Sequence, residues 1–404
     1  MSEWKKVKLG EIAESCLGKM LDAAKNRGDY QPYLANLNVR WGSFDTENLS
    51  LMKFEEGEEE RYGIKYGDLI ICEGGEPGRC AIWKEQLPNM KIQKALHRVR
   101  SKDGIVDNFY LFYWFLHAGK RNWIDQYCTG ATIKHLPGQK LKEIVVDLPP
   151  LTTQRNIASV LSRYDTLIEN YQKQIQLLEE AAQRLYKEWF VDLHFPGHEN
   201  TKIVDGVPEG WERTNVNSIL TFHRGYDLTH KEFIDGPYPV VGSTSIIGCH
   251  NRFKIEGPGI VTGRSGSLGV YQLIWDNYWP HNTSLYVSDF KGHNVFYIYC
   301  LLKTVDFTTL NSGGAIPSLN RNTLSSISII EPPMSLQTMF SEKVMPMFKR
   351  QRLLQSQVRL LTEARDRLLP KLMSGEISVE TSQSVTSGLG VRKEQTGSPK
   401  PSDS

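Results

Sequence analysis

Cysteine is scarce in this 404-residue chain, and the six that occur (Cys16, Cys72, Cys80, Cys128, Cys249 and Cys300) are scattered. No two form a Cys-x-x-Cys pair, which argues against a zinc site and fits a reduced, cytoplasmic protein with no bound metal. Long apolar runs are also missing. The longest, Phe109 to Leu116, is far too short to span a bilayer. The opening Met1-Ser-Glu-Trp-Lys-Lys lacks the apolar core of a signal peptide, so no membrane association is expected. There is little charge imbalance. A net charge of +2 neither demands nor excludes nucleic acid, because Lys and Arg can gather on one face while acids elsewhere cancel the sum. A Gly-x-x-x-x-Gly-Lys-Ser/Thr phosphate loop is absent, so the chain is not expected to hydrolyse ATP by itself. Gly263-Arg-Ser-Gly-Ser267 approaches a nucleophile elbow but ends in Ser267 where glycine is required.

What is present is ordinary globular material, 40% hydrophobic and 23% charged, long enough for two or three domains. It is also duplicated. Asp147-Leu-Pro-Pro-Leu-Thr-Thr-Gln154 resembles Ile330-Glu-Pro-Pro-Met-Ser-Leu-Gln337. The same offset aligns Gly-Ala-Thr-Ile-Lys-His-Leu, ending at Leu136, with Gly-Gly-Ala-Ile-Pro-Ser-Leu, ending at Leu319. It also aligns Leu177-Leu-Glu-Glu-Ala-Ala-Gln-Arg-Leu185 with Leu360-Leu-Thr-Glu-Ala-Arg-Asp-Arg-Leu368. An offset held without gaps implies a rigid element of fixed length. Earlier in each half the match is looser. Trp4 and Trp211 open the halves, and Gly67-Asp-Leu-Ile-Ile-Cys-Glu-Gly-Gly-Glu-Pro-Gly78 resembles Gly259-Ile-Val-Thr-Gly-Arg-Ser-Gly-Ser-Leu-Gly269. The unit is too long for a solenoid repeat and reads as a duplicated domain plus helix.

The rigid element is a helix with a heptad seam. After Pro150 the apolar positions are Ile157, Leu161, Tyr164, Ile168, Tyr171, Ile175, Leu178, Ala182, Leu185 and Trp189, spaced alternately by four and three. The second copy supplies Phe340, Val344, Met347, Leu354, Val358, Leu361, Leu368 and Leu372, with Gln351 and Arg365 interrupting the seam. Each helix would be roughly 50 Å long at 1.5 Å per residue. The two are expected to pair within the chain as an antiparallel coiled coil. The first should stop at Pro196-Gly197 and the second at Ser374-Gly375.

The globular parts show short β-type runs between Gly, Pro and Asn turns, such as Leu69–Cys72, Val145-Val146, Gly259–Thr262 and Ser328–Ile330. Each also has one aromatic-rich helix candidate, near Asn108 and Asn294. The expected fold class is α+β with an internal pseudo-two-fold repeat. Its parts are a first globular domain (1–150), a first spacer helix (151–195), a linker (196–210), a second globular domain (211–333), a second spacer helix (334–376) and a disordered tail (377–404).

This ordered set of motifs, occurring twice, resembles the specificity subunit of type I restriction-modification enzymes. Its carriers are the Trp-led openings, the Gly-rich turns, the Gly-x-x-Ile-x-x-Leu segments and the Pro-Pro-x-x-x-Gln helix entrances. Asp205-Gly-Val-Pro-Glu-Gly-Trp211 and Leu372-Met-Ser-Gly-Glu-Ile377 complete the set. The resemblance implies two target-recognition domains that read a bipartite site in double-stranded DNA. It implies helices that set the spacing and dock two modification (methyltransferase) subunits, with restriction (translocase/nuclease) subunits completing the complex. S-adenosylmethionine, ATP and Mg would then belong to those partners, with no cofactor and no catalytic residue here. Consistent with that, Glu331-Pro-Pro-Met334 and Leu148-Pro-Pro-Leu151 lack the aromatic with which a methyltransferase motif grips a flipped base.

Loop residues of the types that touch phosphates or base edges are the candidate DNA contacts. In the first half they are Asn36, Asn38, Arg40, Arg79, Lys91, Lys94, Lys134 and His135. In the second they are Arg224, Tyr226, Ser243, Thr244, Arg264, Ser265, His281, Asn282, Arg321 and Asn322. A coiled-coil scaffold whose globular ends bind other proteins is the alternative that the sequence leaves open.

Overall fold

In the computed structural model, residues 4–20, 22, 26–264, 269–305 and 327–379 are described. They fall into two compact units, Met1–Ile168 with Arg359–Ser404, and Glu169–Val358. The division passes through both long helices, so each unit contains one end of each.

The two units repeat one plan. In the first, strand Lys5–Lys8 pairs antiparallel with Val145–Leu148. A four-stranded antiparallel sheet runs in the order Ala13–Leu17, Leu96–Ser101, Leu69–Cys72, Cys80–Ile82. A second sheet places Asp29–Leu34 between Ser50–Phe54 (antiparallel) and Lys91–Ile92 (parallel). In the second unit Glu212–Asn215 pairs with Ser328–Glu331. The four-stranded sheet runs Thr221–Arg224, Ser284–Asp289, Gly259–Gly263, Tyr271–Ile274. Tyr238–Val241 lies between Ile246–His250 (antiparallel) and Trp279–Pro280 (parallel).

Strand Leu69–Cys72 is wholly buried because it is covered on both sides. Leu69 and Ile71 enter the main core, while Ile70 and Cys72 enter the core beneath the smaller sheet, as a two-residue period requires. The domain helices are Asn108–Lys120, capped by Asp107 accepting from the Tyr110 N–H at 3.0 Å, and Val295–Thr304, capped by Asn294 accepting from Phe296 at 2.9 Å. Tyr110 through Ala118 are all buried, so this helix is apolar on every side rather than amphipathic.

The Pro-Pro-x-x-x-Gln entrances have a structural explanation. The long helices span Leu151–Tyr186 and Met334–Met373, each starting directly after its proline pair. Buried Gln154 donates to the Pro149 carbonyl at 2.8 Å and accepts from the Asp107 N–H at 2.9 Å. Buried Gln337 donates to the Pro332 carbonyl at 2.9 Å, and its amide oxygen meets His293 Nδ1 at 3.0 Å. One glutamine thus ties each helix entrance to the base of the domain helix.

Every seam position is buried or half-buried, Gln351 and Arg365 included. In the first unit Ile157 and Leu161 share a core with Leu369 and Leu372; in the second, Tyr186 and Trp189 lie against Phe340. The helices therefore run antiparallel within each unit. Toward the ends the apolar face widens beyond the heptad to include Tyr186, Phe190, Leu336, Phe348, Leu369 and Met373, because a domain core packs there as well.

Three boundaries differ from expectation. The first helix leaves α geometry at Tyr186 and passes through a π-turn, Lys187–Val191, before Pro196. Residues 196–210 are not a free linker. They contain a small hairpin, Ile203–Val204 with Val207–Pro208, between buried Phe195 and Trp211, whose rings lie 4.9 Å apart. The C-terminal tail does not begin at 377. Val379 packs on the first core, and its carbonyl accepts from Asn156 at 2.9 Å. Residues 380–404 lie outside the described residues.

Candidate nucleic-acid interface

At one end of each four-stranded sheet the strand-end loops converge, and five main-chain hydrogen bonds hold them in the same frame. In the first unit these are Gly18 N to Leu96 O, Lys19 N to Ile92 O, Gln93 N to Leu34 O, Leu96 N to Gln93 O and Glu73 N to Ala95 O, all 2.9–3.0 Å. The second unit has Gly225 N to Ser284 O, Tyr226 N to Pro280 O, His281 N to Val241 O, Ser284 N to His281 O and Arg264 N to Thr283 O, at 2.8–3.2 Å. Position by position, Lys19 corresponds to Tyr226, Asn36 to Ser243, Glu73 to Arg264 and Lys94 to Asn282. The frame is duplicated, while the side chains mounted on it are not.

A glycine anchors each frame. A Cβ on Gly18 would lie 2.4 Å from the Gln93 carbonyl oxygen, and one on Gly225 would lie 2.1 Å from that of His281. Only glycine lets the two loops approach this closely.

In the first unit the Gly-rich turn after Cys72 meets two other loops. His135 exchanges main-chain hydrogen bonds with Thr129 at 2.8 Å, and the Leu136 N–H donates to Glu73 O at 2.7 Å. Behind it His97 Nε2 lies 2.8 Å from Leu136 O; burial holds this imidazole below its ordinary range, so it is the neutral ring that donates. Exposed Lys134 pairs with Asp125 at 2.6 Å, and exposed Arg40 lies 3.7 Å from Asp45. Between turn and loop is a groove of about 500 Å³ lined by Trp41, Gly75, Glu76, Thr132 and Lys134. Lys94 lines a second groove, about 570 Å³, with Arg27 and Arg61, two cations the sequence reading did not single out.

In the second unit Arg224 reaches Asp227 at 3.2 Å, and Asn282 donates to the same carboxylate. Ser243 donates to Thr283 O at 2.8 Å. His281 is fixed between Thr283 Oγ1 and Leu228 O at 2.9 and 3.0 Å. Thr244 and Arg264 are exposed beside them. The Tyr226 hydroxyl lies 3.0 Å from that of Tyr286. Exposed Lys254, also unanticipated, sits 5.4 Å from the Tyr226 ring centroid and 4.8 Å from that of Trp279. No local pattern marks Lys254, because its neighbours come from distant strands.

Three of the sequence-based candidates are committed to the fold. Lys91 is 2% exposed, with its ammonium on Glu59 and the Asn89 carbonyl. Asn38 is 3% exposed; it accepts from the Ala35 N–H at 2.9 Å and donates to Asp45 O at 3.0 Å. Arg79 spends its guanidinium on Asn36 O and Glu76, joining the first loop to the Gly-rich turn. Ser265, Arg321 and Asn322 lie outside the described residues.

Among the described residues no cluster of three or more His, Cys, Asp or Glu could hold a metal ion. Burial raises the thiols of Cys72, Cys80 and Cys300, which keeps them protonated and poorly nucleophilic. No described helix is long and apolar enough to cross a membrane. The chemistry on display is charge, hydrogen bonding and shape.

A family model described as the type I restriction modification DNA specificity domain matches residues 1–180 and again 208–355. The chain is 28% identical over 344 residues to the type I restriction enzyme MjaIX specificity subunit of Methanocaldococcus jannaschii, covering 78% of each. It is 21% identical over 471 residues to the HindI specificity subunit of Haemophilus influenzae, covering 93% of this chain and all of that one. The solved type I restriction-modification S subunit from M. genitalium shares the fold, with a TM-score of 0.59 at 18% identity over 92% of this chain and 96% of that one. The two family matches fall on the two copies of the loop frame, and the chain belongs to the type I restriction-modification DNA specificity family, whose work is the recognition of DNA sequence.

Proposed function

We infer that the chain reads a bipartite site in double-stranded DNA, one half-site per loop frame. The duplicated frame with unlike side chains carries this reading. A common scaffold fixes where side chains are presented, and different residues at corresponding points select different bases. Asn36, His135, Thr244 and Asn282 are the candidate base readers. Arg40, Lys94, Lys134, Arg224, Arg264 and Lys254 are candidates for phosphates, where each neutralised contact adds to the salt dependence of binding. Methylation mapping tests this. Asn282→Ala should relax bases in one half of the site and Asn36→Ala bases in the other; loss of both halves from either change would defeat it.

Methyl transfer, ATP-driven movement and cleavage fall to partner subunits, and this chain contributes no chemistry of its own. The docking surface for two modification subunits is on the long helices. Leu177, Glu180, Ala181 and Arg184 form an exposed stripe at helical spacing, and Leu360, Glu363, Ala364 and Arg367 repeat it residue for residue. Inward-facing neighbours in the same stretch differ: Ala182 against Arg365, Gln183 against Asp366, Tyr186 against Leu369. Packing constrains the inward residues, whereas identity on the solvent side favours one partner bound twice. Leu177 and Leu360 are more than half exposed, the behaviour of an interface residue without its partner. Leu177→Asp and Leu360→Asp should each remove one modification subunit from the complex, read by native mass spectrometry. Full occupancy with both changes present would refute the assignment.

A further inference from the structure

A duplicated chain with two similar heptad seams faces a pairing problem. The first helix must find the second helix of its own chain, although a first helix of another copy offers nearly the same seam. The two seam interruptions bear on this.

In the first unit Arg365 donates to Asp165 at 2.6 Å and to Asp366 at 2.9 Å. The Tyr113 hydroxyl, from the domain helix, donates to the other Asp165 oxygen, and Lys120 pairs with Asp366 at 2.6 Å. Arg365 and Asp165 are largely buried, with side chains 18% and 14% exposed. In the second unit Gln351 donates to Glu179 at 3.0 Å and to the Ile175 carbonyl at 2.9 Å. Lys303, again from the domain helix, bonds the same Glu179, and its ammonium lies 5.1 Å from the Tyr299 ring centroid. Each unit thus has a clasp: an acid on the first helix, a polar seam residue on the second, and a tyrosine and a lysine from the domain helix.

The clasps do not occupy repeat-equivalent positions. At the constant offset of the repeat, Asp165 corresponds to Phe348, Arg365 to Ala182, Glu179 to Thr362 and Gln351 to Ile168. Phe348, Ala182 and Ile168 are buried. If two first helices from different copies paired in the register seen here, Asp165 would face Ala182 and Glu179 would face Ile168. Paired second helices would set Arg365 against Phe348. Each like-with-like pairing sets a charged side chain against an apolar seam residue and removes its partner across the seam, which is costly at a buried position.

We propose that these two clasps restrict the seam to pairing between a first and a second helix and exclude like-with-like pairing, first with first or second with second, between copies. Single polar seam residues fix partner and register in coiled coils by this logic, at some expense of stability.

The full chain tests it. The variant Asp165→Leu/Glu179→Leu/Gln351→Leu/Arg365→Leu has a wholly apolar seam and is expected to keep its helicity. Wild type and variant are each prepared with two different affinity tags, mixed unfolded, refolded together and examined by pull-down and light scattering. Wild-type tags should stay apart as monomers, and variant tags should co-purify in dimers. A helical variant that remains monomeric, or wild-type tags that co-purify as fully as the variant's, would overturn the proposal. If the fourfold variant does not refold, the two-residue variants Asp165→Leu/Arg365→Leu and Glu179→Leu/Gln351→Leu decide on the same criterion.

Discussion

Adding one methyl group to either anchoring glycine should damage one half of the recognised sequence and spare the other. In Gly225→Ala the new Cβ would meet the His281 carbonyl oxygen at 2.1 Å and the Pro280 carbonyl oxygen at 2.6 Å. Both neighbours are main chain, so no side-chain rotation relieves the clash. The loop must retreat by about 1 Å, an overpacking cost of roughly 1–3 kcal/mol. For a unit of this size that is a fall in melting temperature of about 2–4 °C per kcal/mol. The displaced loop carries His281 and Asn282, and a recognition group needs placement within about 0.5 Å. A lost bidentate base contact is worth about 1–3 kcal/mol, or roughly tenfold to a hundredfold in discrimination. Gly18→Ala makes the equivalent clash with Gln93 and Ile92 in the first unit. Calorimetry of the full chain gives the stability change, and DNA binding to sites altered in one half at a time gives the specificity. A Gly225→Ala protein that melts with wild type and reads both halves would refute the close approach. Equal loss of both halves would refute the independence of the frames.

Two further outcomes follow from burial and charge. Lys91→Met should lower stability without changing the salt slope of DNA binding, whereas Arg264→Ala should leave stability alone and reduce that slope by about one. His117 is buried, and desolvation, reinforced by Arg121 and Lys120, pushes its imidazole down to about 4. The unfolded chain, with a histidine near 6.5, binds the proton first. Stability is therefore complete above about 6.5 and is lost as the pH falls toward 4. Urea titrations of wild type and His117→Gln across that window should show the pH dependence shrinking in the variant.

How much of this was legible beforehand depended on whether the information was local. The helices were, because a heptad stripe and a proline pair are patterns within one segment. The duplication was too, wherever the offset held, and it located the helix entrances that Gln154 and Gln337 tie down. The loop frame was not. Its anchors Gly18 and Gly225 stand at a different offset from the helices, since the intervening loops differ in length. Lys91 and Asn38 look like surface polar residues in sequence, yet the groups that hold them are Glu59, on a short helix far along the chain from Lys91, and the Asp45 carbonyl just beyond a two-residue strand. Gln351 and Arg365 were legible as interruptions, but their meaning needed the acids across the seam.

If two independent readers share one chain, exchanging the second must leave the first at work. Residues 211–333 would be replaced by the corresponding segment of a relative, and methylated positions mapped in a host genome carrying the complete system. One half of the recognised sequence should change while the other half stays as it was. A change in both halves, or in neither, would contradict it.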